Sequence, residues 1–150
     1  MTMRVMVTAP YMQPVIDRFR GIFDENDIEL LVPQVEERFE ADELIGMIEG
    51  IDGVICGDDR FTRDVLARSD RLKVISKWGT GIDSIDARAC EEFGVELKNT
   101  PGAFNEPVAD TVMGYMLCFV RRLPFMDAQL KQGKWAKQMG RSLGECTLGI

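Results

Sequence analysis

The residues of this chain best suited to binding a small ligand lie in one short polar run, Lys77-Trp78-Gly79-Thr80-Gly81. The run follows an apolar segment that ends near Ser76. Glycines in such a loop let the backbone approach a ligand closely, and their N–H groups can bind an anion. Spacing alone leaves two interpretations open, a tight structural turn and an anion-binding loop. The position after a predicted strand favours the anion-binding loop.

The glycine spacing does not match a dinucleotide-binding fingerprint. Gly79 and Gly81 could begin the pattern G-x-G-x-x-G, but its third glycine would fall on Ser84. We therefore expect no dinucleotide phosphate site in this loop.

A second run, Cys56-Gly57-Asp58-Asp59-Arg60, also follows a predicted strand. Its two adjacent carboxylates could bind Mg²⁺ as in a receiver domain. A receiver also needs an acidic pair at the end of the first strand, where this chain has Thr8-Ala9-Pro10. We therefore expect no metal site, and we predict that Asp58 and Asp59 are solvated turn residues that cap a helix near Thr62.

The chain contains no histidine among its 150 residues. This excludes the commonest general base, the commonest metal ligand and every Ser-His or Cys-His nucleophile pair. Proton transfer would need a carboxylate, lysine, tyrosine or a group outside this chain.

The distribution of charge argues against nucleic-acid binding. The net charge is −7, and duplex binding depends on clustered lysine and arginine. Residues 1–120 carry 12 basic and 23 acidic side chains, whereas 121–141 carry six basic residues and one acidic residue. The basic segment 121–141 is either a solvated helix and loop or a surface that docks on the acidic body of a second copy.

The cysteine pattern and the N-terminus indicate a soluble cytoplasmic protein. Cys56, Cys90, Cys118 and Cys146 form no metal-binding motif, so we expect free thiols in a reducing compartment, with Cys56 an inert core thiol. The first residues lack the apolar run of a signal peptide. The longest apolar stretch, 108–120, is shorter than the ~20 residues that a membrane span requires.

Apolar runs alternate with amphipathic ones along residues 1–100. The short apolar runs predict strands at 5–7, 28–32, 54–56, 74–75 and 95–97. The amphipathic runs predict helices at 12–25, 41–49, 62–69 and 84–93; the first carries an apolar stripe of Val15, Ile16, Phe19, Ile22 and Phe23. Ser84 or Asp86 can cap the start of the fourth, and Gly94 stands where a left-handed residue would end it. Such alternation predicts an α/β fold with a doubly wound, parallel five-stranded sheet, whose ligand crevice lies beyond the carboxyl ends of the strands.

A longer apolar helix is predicted from a cap at Asn105 to about Arg122, with Pro124 marking its end. Its apolar residues cover more than one face, so we expect it to be buried between the first domain and either another domain or a partner subunit. A further strand is predicted at 146–150. We therefore expect that the chain has been cut inside a fresh strand.

Several motifs together resemble the D-isomer-specific 2-hydroxyacid dehydrogenases, in particular the phosphoglycerate dehydrogenase-like branch. They include Gly79-Thr80-Gly81-Ile82-Asp83 and Asn99-Thr100-Pro101-Gly102, and they fall within 72–86, 94–103, 107–111, 121–124, 133–135 and 147–150. The similarity covers about residues 50–150, and residues 1–50 agree in pattern only.

The resemblance implies a flavodoxin-like substrate domain at 1–100, a connecting helix and dimerisation arm at 101–145, and the first strand of a truncated nucleotide-binding (Rossmann) domain at 146–150. It also implies a homodimer formed through 104–141. The implied activity is NAD-dependent hydride transfer between the nicotinamide and C2 of a small D-2-hydroxy or 2-keto acid. The catalytic arginine, glutamate and histidine of the family would lie outside this chain, so we expect the chain alone to be inactive.

By the same resemblance, the substrate-binding residues are Gly57, Lys77, Trp78, Gly79, Thr80 and Gly81, and the NAD contacts are Thr80 and Val108. Bacterial phosphoglycerate dehydrogenases place an arginine where Cys56 stands and an asparagine where Phe104 stands. These differences put 3-phosphoglycerate in question as the substrate, although Lys77 and Arg60 could still bind a phosphate or carboxylate. The alternative interpretation is a non-catalytic flavodoxin-like binding or dimerisation module.

Overall fold

Five parallel strands organise the first part of the chain in a computed structural model that describes residues 2–135 and 137–149. The strands are β1 (Met3–Val7), β2 (Ile28–Leu31), β3 (Gly53–Cys56), β4 (Val74–Lys77) and β5 (Glu96–Lys98). Their order across the sheet is β2-β1-β3-β4-β5. This is the flavodoxin-like order, so the predicted parallel five-stranded sheet is confirmed. The chain divides into two compact units, Met1–Ala103 and Phe104–Ile150.

Four short α-helices connect the strands of the first unit: α1 (Arg20–Glu25), α2 (Ala41–Ile45), α3 (Arg63–Arg68) and α4 (Ala87–Glu92). The predicted start and end of α4 are confirmed, because the Asp86 side chain accepts a hydrogen bond from the Ala89 N–H at 2.9 Å and Gly94 has a φ of +70°. Helix α2 is shorter than predicted: it ends at Ile45, and Gly46 is its C-cap.

The prediction of one continuous helix over 12–25 is wrong. The segment folds as a 3-10 helix (Gln13–Arg18) followed by α1, and Ile22 is exposed rather than part of a buried stripe. The Gln13 side-chain amide donates to the carbonyl oxygens of Val7 (3.0 Å) and Pro33 (2.7 Å). These bonds tie the start of the segment to the ends of β1 and β2, so tertiary contacts override the helical periodicity.

The core of the first unit lies on both faces of the sheet. Successive side chains of a strand point to opposite faces, so Met6 joins one apolar cluster and Val7 the other. The larger cluster includes the fully buried Phe61, Leu44 and Ile48. Burying each such side chain stabilises the fold by about 1.5–3 kcal/mol.

A buried carboxylate, Asp52, lies just before β3 at the amino edge of the sheet. It accepts hydrogen bonds from the Arg4 N–H (2.9 Å) and from the Arg71 guanidinium (2.7 Å). The Arg4 N–H contributes most to holding the pKa of Asp52 below its ordinary value, and Arg71 acts in the same direction against the opposing effect of burial.

The second unit contains α5 (Asn105–Val120), α6 (Leu123–Lys131) and a 3-10 helix (Leu143–Glu145). The prediction that Pro124 ends the long helix is wrong. Helix α5 ends at Val120, the chain turns at Arg122 with a φ of +53°, and Pro124 lies in the first turn of α6. Proline is favoured there because it needs no N–H donor.

Helix α5 buries none of its side chains within this chain. Its exposed large apolar residues are Val108, Val112, Met113, Tyr115, Leu117 and Phe119. The expected burial of this helix between two bodies stays a prediction. None of the described helices is both long and apolar enough to cross a bilayer.

The strand predicted at 146–150 does not form over residues 146–149, and Ile150 lies outside the described residues. A strand requires a paired neighbour, and no described strand pairs with these residues. The domain division at 1–100, 101–145 and 146–150 stays a prediction.

Candidate functional site at the carboxyl edge of the sheet

Two loops meet at the carboxyl edge of the sheet because β3 and β4 are neighbouring parallel strands. The acidic loop (Gly57, Asp58, Asp59 and Arg60) follows β3, and the glycine loop (Gly79, Thr80 and Gly81) follows β4 one residue after its end. The N–H of Trp78 donates to the carbonyl oxygen of Cys56 at 2.8 Å. This bond continues the pairing of the two strands up to the loops.

The backbones after β1 and β3 pack closely at the adjacent switch point, where the strand order reverses. A Cβ placed on Gly57 would lie 2.8 Å from Cδ of Pro10, so only glycine fits there. The Thr8 N–H also donates to the carbonyl oxygen of Ile55 at 2.9 Å. In flavodoxin-like folds this switch point is the usual ligand site. Here the close backbone packing leaves the β3 and β4 loops as the better candidate.

Asp59 is fully buried and holds the acidic loop in place through hydrogen bonds to its carboxylate. Its carboxylate accepts hydrogen bonds from the Thr8 hydroxyl (2.6 Å), the Gly57 N–H (3.0 Å) and the Phe39 N–H (2.7 Å). The prediction of a solvated turn residue is therefore wrong for Asp59. These three donors replace water, which is what a buried carboxylate requires.

Lys77 is the last residue of β4 and is only 4 % exposed. Its ammonium group donates to the carbonyl oxygen of Gly57 at 2.5 Å and to the carboxylate of Asp58. A Cβ placed on Gly79 would lie 3.2 Å from Cε of Lys77, so the lysine stem packs against the glycine loop. A buried lysine normally has paired partners. Here they are supplied by the acidic loop.

The two adjacent carboxylates have different surroundings. Asp59 is enclosed by neutral donors, whereas the Asp58 side chain is 76 % exposed and pairs with Lys77. Asp58 is thus exposed, as predicted, but it does not cap α3, which begins after Thr62 without a side-chain cap. Among the described residues, no group of three Cys, Asp or Glu side chains could hold a metal ion.

The glycine loop is tied to the segment that follows β5. The Thr100 N–H donates to the carbonyl oxygen of Gly79 (2.9 Å), and the Thr80 hydroxyl donates to the carbonyl oxygen of Thr100 (3.1 Å). The Asn99 side chain donates to the carbonyl oxygen of Thr80 at 2.7 Å. The carbonyl oxygens of Gly79 and Thr80 thus accept hydrogen bonds from within the protein. Across residues 2–135 and 137–149, no oxygen accepts from the N–H groups of Gly79, Thr80 or Gly81.

Trp78 and Cys56 flank these polar groups. The Trp78 ring is 39 % exposed and packs edge-on against Phe19, with ring centroids 6.3 Å apart. Burial, followed by the negative charge of Asp59, raises the pKa of the Cys56 thiol to about 12. Cys56 is therefore a buried neutral thiol, as predicted, and not a nucleophile.

The structure brings six of the predicted site residues together on these two loops and at the end of β4: Gly57, Lys77, Trp78, Gly79, Thr80 and Gly81. Val108 lies on α5 in the second unit and is 58 % exposed. Sequence reasoning missed the roles of Thr8 and Asp59. Asn99 and Thr100 stand in a motif that the sequence singled out, but their bonds to the glycine loop were not foreseen.

A five-stranded parallel sheet in this order defines a flavodoxin-like α/β domain. Comparison with known proteins then identifies the family. The family profile described as "D-isomer specific 2-hydroxyacid dehydrogenase, catalytic domain" matches residues 5–141. The chain belongs to this family, which confirms the resemblance seen in the sequence.

Individual relatives agree with this assignment. The hydroxypyruvate reductase of Thermotoga maritima is 37% identical over 117 residues, which are 76% of this chain and 38% of that protein. The D-3-phosphoglycerate dehydrogenase of Methanocaldococcus jannaschii is 31% identical, over 97% of this chain and 28% of that protein. The structure of NAD⁺-bound 3-phosphoglycerate dehydrogenase from Entamoeba histolytica matches with a TM-score of 0.71 and 25% identity, over 95% of this chain and 43% of that one. The chain thus spans less than half the length of each relative.

Proposed function

We propose that this chain forms the substrate-binding part of an NAD-dependent oxidoreductase. The whole protein would transfer a hydride between the nicotinamide and C2 of a small D-2-hydroxy or 2-keto acid. One observation carries the proposal: among the described residues no oxygen accepts from the three N–H groups of the glycine loop, and the stem of the buried Lys77 packs against this loop. The family membership of residues 5–141 supports the reaction class.

The glycine loop suits a carboxylate for an electrostatic reason. Backbone N–H groups carry partial positive charge, and the Lys77 ammonium, although paired with Asp58, keeps one further N–H donor. The bonds from Asn99 and Thr100 hold the loop in place before a ligand arrives, so little ordering is needed on binding. A substrate carboxylate on these donors would be held beside Trp78 and Gly57.

NAD is proposed as the cofactor of the whole protein, but these residues do not form its phosphate site. A dinucleotide phosphate site requires a glycine loop that opens directly into a helix N-terminus. Here α4 begins only at Ala87, several residues beyond the glycine loop, and Asp86 already caps it. The proposed contribution of this chain is limited to contacts from Thr80 and Val108.

The chain alone is proposed to have no dehydrogenase activity, because a chain without histidine lacks the usual proton donor for the C2 oxygen. A non-catalytic binding module is the second candidate function, and the same lack of histidine favours it. The encoded protein that contains this chain should oxidise NADH with at least one member of a panel of 2-keto acids. Turnover by the 150 residues alone, or none by the longer protein, would contradict the dehydrogenase proposal.

Carboxylate binding can be tested on the chain directly. D-glycerate should shift the amide resonances of Gly79, Thr80 and Gly81 in a ¹⁵N-labelled sample, whereas glycerol, which lacks the carboxylate, should not. Loop amides that stay unmoved at saturating D-glycerate would show that the loop is a structural turn.

A homodimer formed through 104–141 is also proposed. The support is the exposed apolar surface of α5 together with the basic segment 121–141. The positive charge of this segment complements the negative charge of residues 1–120 in a second copy. Sedimentation equilibrium should give twice the monomer mass, and a monomer at high concentration would contradict it. We also propose a reducing, cytoplasmic location, consistent with four free cysteines.

A further inference from the structure

We propose that Asp58 determines substrate specificity by rejecting acids that carry a second anionic group. The ligand of the glycine loop would then be a small 2-hydroxy or 2-keto monocarboxylic acid with an uncharged remainder, and not a phosphorylated one. This inference rests on the proposed function, because it requires the glycine loop to hold the first carboxylate.

The first step of the argument is that the buried cation is already neutralised. Two of the three N–H donors of the Lys77 ammonium are used by the Gly57 carbonyl and the Asp58 carboxylate. One donor remains for a substrate carboxylate, but the pair as a whole carries no net charge. A phosphate would therefore find no surplus positive charge at Lys77.

The second step concerns exposure. The Asp58 side chain is 76 % exposed and that of Lys77 only 4 %. The negative member of the pair is thus exposed to solvent, while the positive member is buried. A phosphate bound next to the glycine loop would lie near an exposed carboxylate of the same sign, which disfavours its binding.

The charged groups around the Lys77–Asp58 pair add no net positive charge that would attract a phosphate. Arg60 is half-buried in the same loop, beside the fully buried charge of Asp59. The acidic loop and Lys77 together contain two acidic and two basic side chains. Cys56, directly before the loop, is neutral because burial raises the pKa of its thiol. The charges at this edge thus suit one carboxylate and not a carboxylate plus a phosphate.

The test compares D-glycerate with 3-phospho-D-glycerate, which differ by one phosphate. The two acids are titrated into the ¹⁵N-labelled chain, and dissociation constants are read from the amides of the glycine loop. Wild type should bind D-glycerate more tightly. Asp58→Asn should shift the ratio of the two constants roughly three- to tenfold towards the phosphorylated acid, the size of one partly screened charge interaction, and should change D-glycerate affinity less.

Glu49→Gln is the matched control, because it removes one exposed negative charge just before β3, at the opposite edge of the sheet. It should leave the ratio unchanged. Asp58→Ala provides a second variant if the asparagine variant loses the dispersed spectrum of the folded chain. If Asp58→Asn raised the affinity for both acids equally, or if Glu49→Gln shifted the ratio by as much as Asp58→Asn, the effect would be non-specific electrostatics and the inference would be overturned.

The two proposals fail in different ways. If D-glycerate binds the glycine loop but wild type prefers the phosphorylated acid, or Asp58→Asn leaves the ratio unchanged, only the role of Asp58 is refuted. If neither acid moves the loop amides in any variant, the carboxylate site itself is refuted, and the specificity inference with it.

Discussion

Replacing Asp59 with alanine should destabilise the first unit by about 3–5 kcal/mol. The substitution removes the acceptor of three hydrogen bonds, from the Thr8 hydroxyl and from the N–H groups of Gly57 and Phe39. A buried donor left without an acceptor costs about 1–3 kcal/mol. Three donors, each costing an amount near the lower end of that range, give the expected value of about 3–5 kcal/mol. The lower end applies because the buried carboxylate, which is itself costly to bury, is removed together with its hydrogen bonds.

Asparagine at position 59 should cost less, about 1–2 kcal/mol, because one amide oxygen remains as an acceptor. The assay is urea unfolding followed by circular dichroism, with linear extrapolation to water. Glu49→Gln serves as the control for loss of one negative charge and should remain within about 0.5 kcal/mol of wild type. A loss below about 1 kcal/mol in Asp59→Ala would refute the view that this carboxylate holds three segments together.

Three further predictions concern pH, thiol reactivity and packing. Because hydrogen bonds lower the pKa of Asp52 in the folded chain, its contribution is present above about pH 4 and is lost as the pH falls through its folded pKa. In Asp52→Asn the free energy of unfolding should therefore fall less steeply than in wild type as the pH is lowered below about 4. If the two proteins lost unfolding free energy in parallel as the pH fell, this prediction would be contradicted. Exposed Cys146 should react with a thiol reagent within the native state, whereas buried Cys56 should react only on unfolding, as peptide mapping over time can establish. Gly57→Ala should lower the urea midpoint by the equivalent of about 1–3 kcal/mol, since its Cβ would clash 2.8 Å from a proline ring; an unchanged midpoint would mean that the loop moves freely.

The elements that the sequence predicted well are those set by local pattern. The five strands were found because short β-branched runs recur between amphipathic segments, and each occurs within two residues of its predicted bounds. The end of α4 was also found, because Gly94 is a local signal for a left-handed residue. Where a local signal was ambiguous, prediction failed. Pro124 is compatible with both the end and the start of a helix, and the turn at Arg122 decided for the start.

The composition of the candidate site could be predicted, but its internal roles could not. The glycine loop and Lys77 were recognised because they lie at or just after the end of a strand, at the edge of the sheet where ligands bind. The hydrogen-bond partners of that edge come from distant parts of the chain. Thr8 is 51 positions from Asp59, and Phe39 is 20 positions away. No local pattern reports such pairing.

The sequence by itself therefore determined the α/β class, the family and the loops that carry the chemistry, because hydrophobic periodicity and glycine spacing are local properties of the chain. Only the tertiary structure decided the roles of two identical neighbours. Asp58 lies outside, paired with a buried lysine, and Asp59 lies inside, held by three donors. The physical reason is that a carboxylate can be buried only where other segments bring enough donors to replace water, and that supply depends on how the strands assemble.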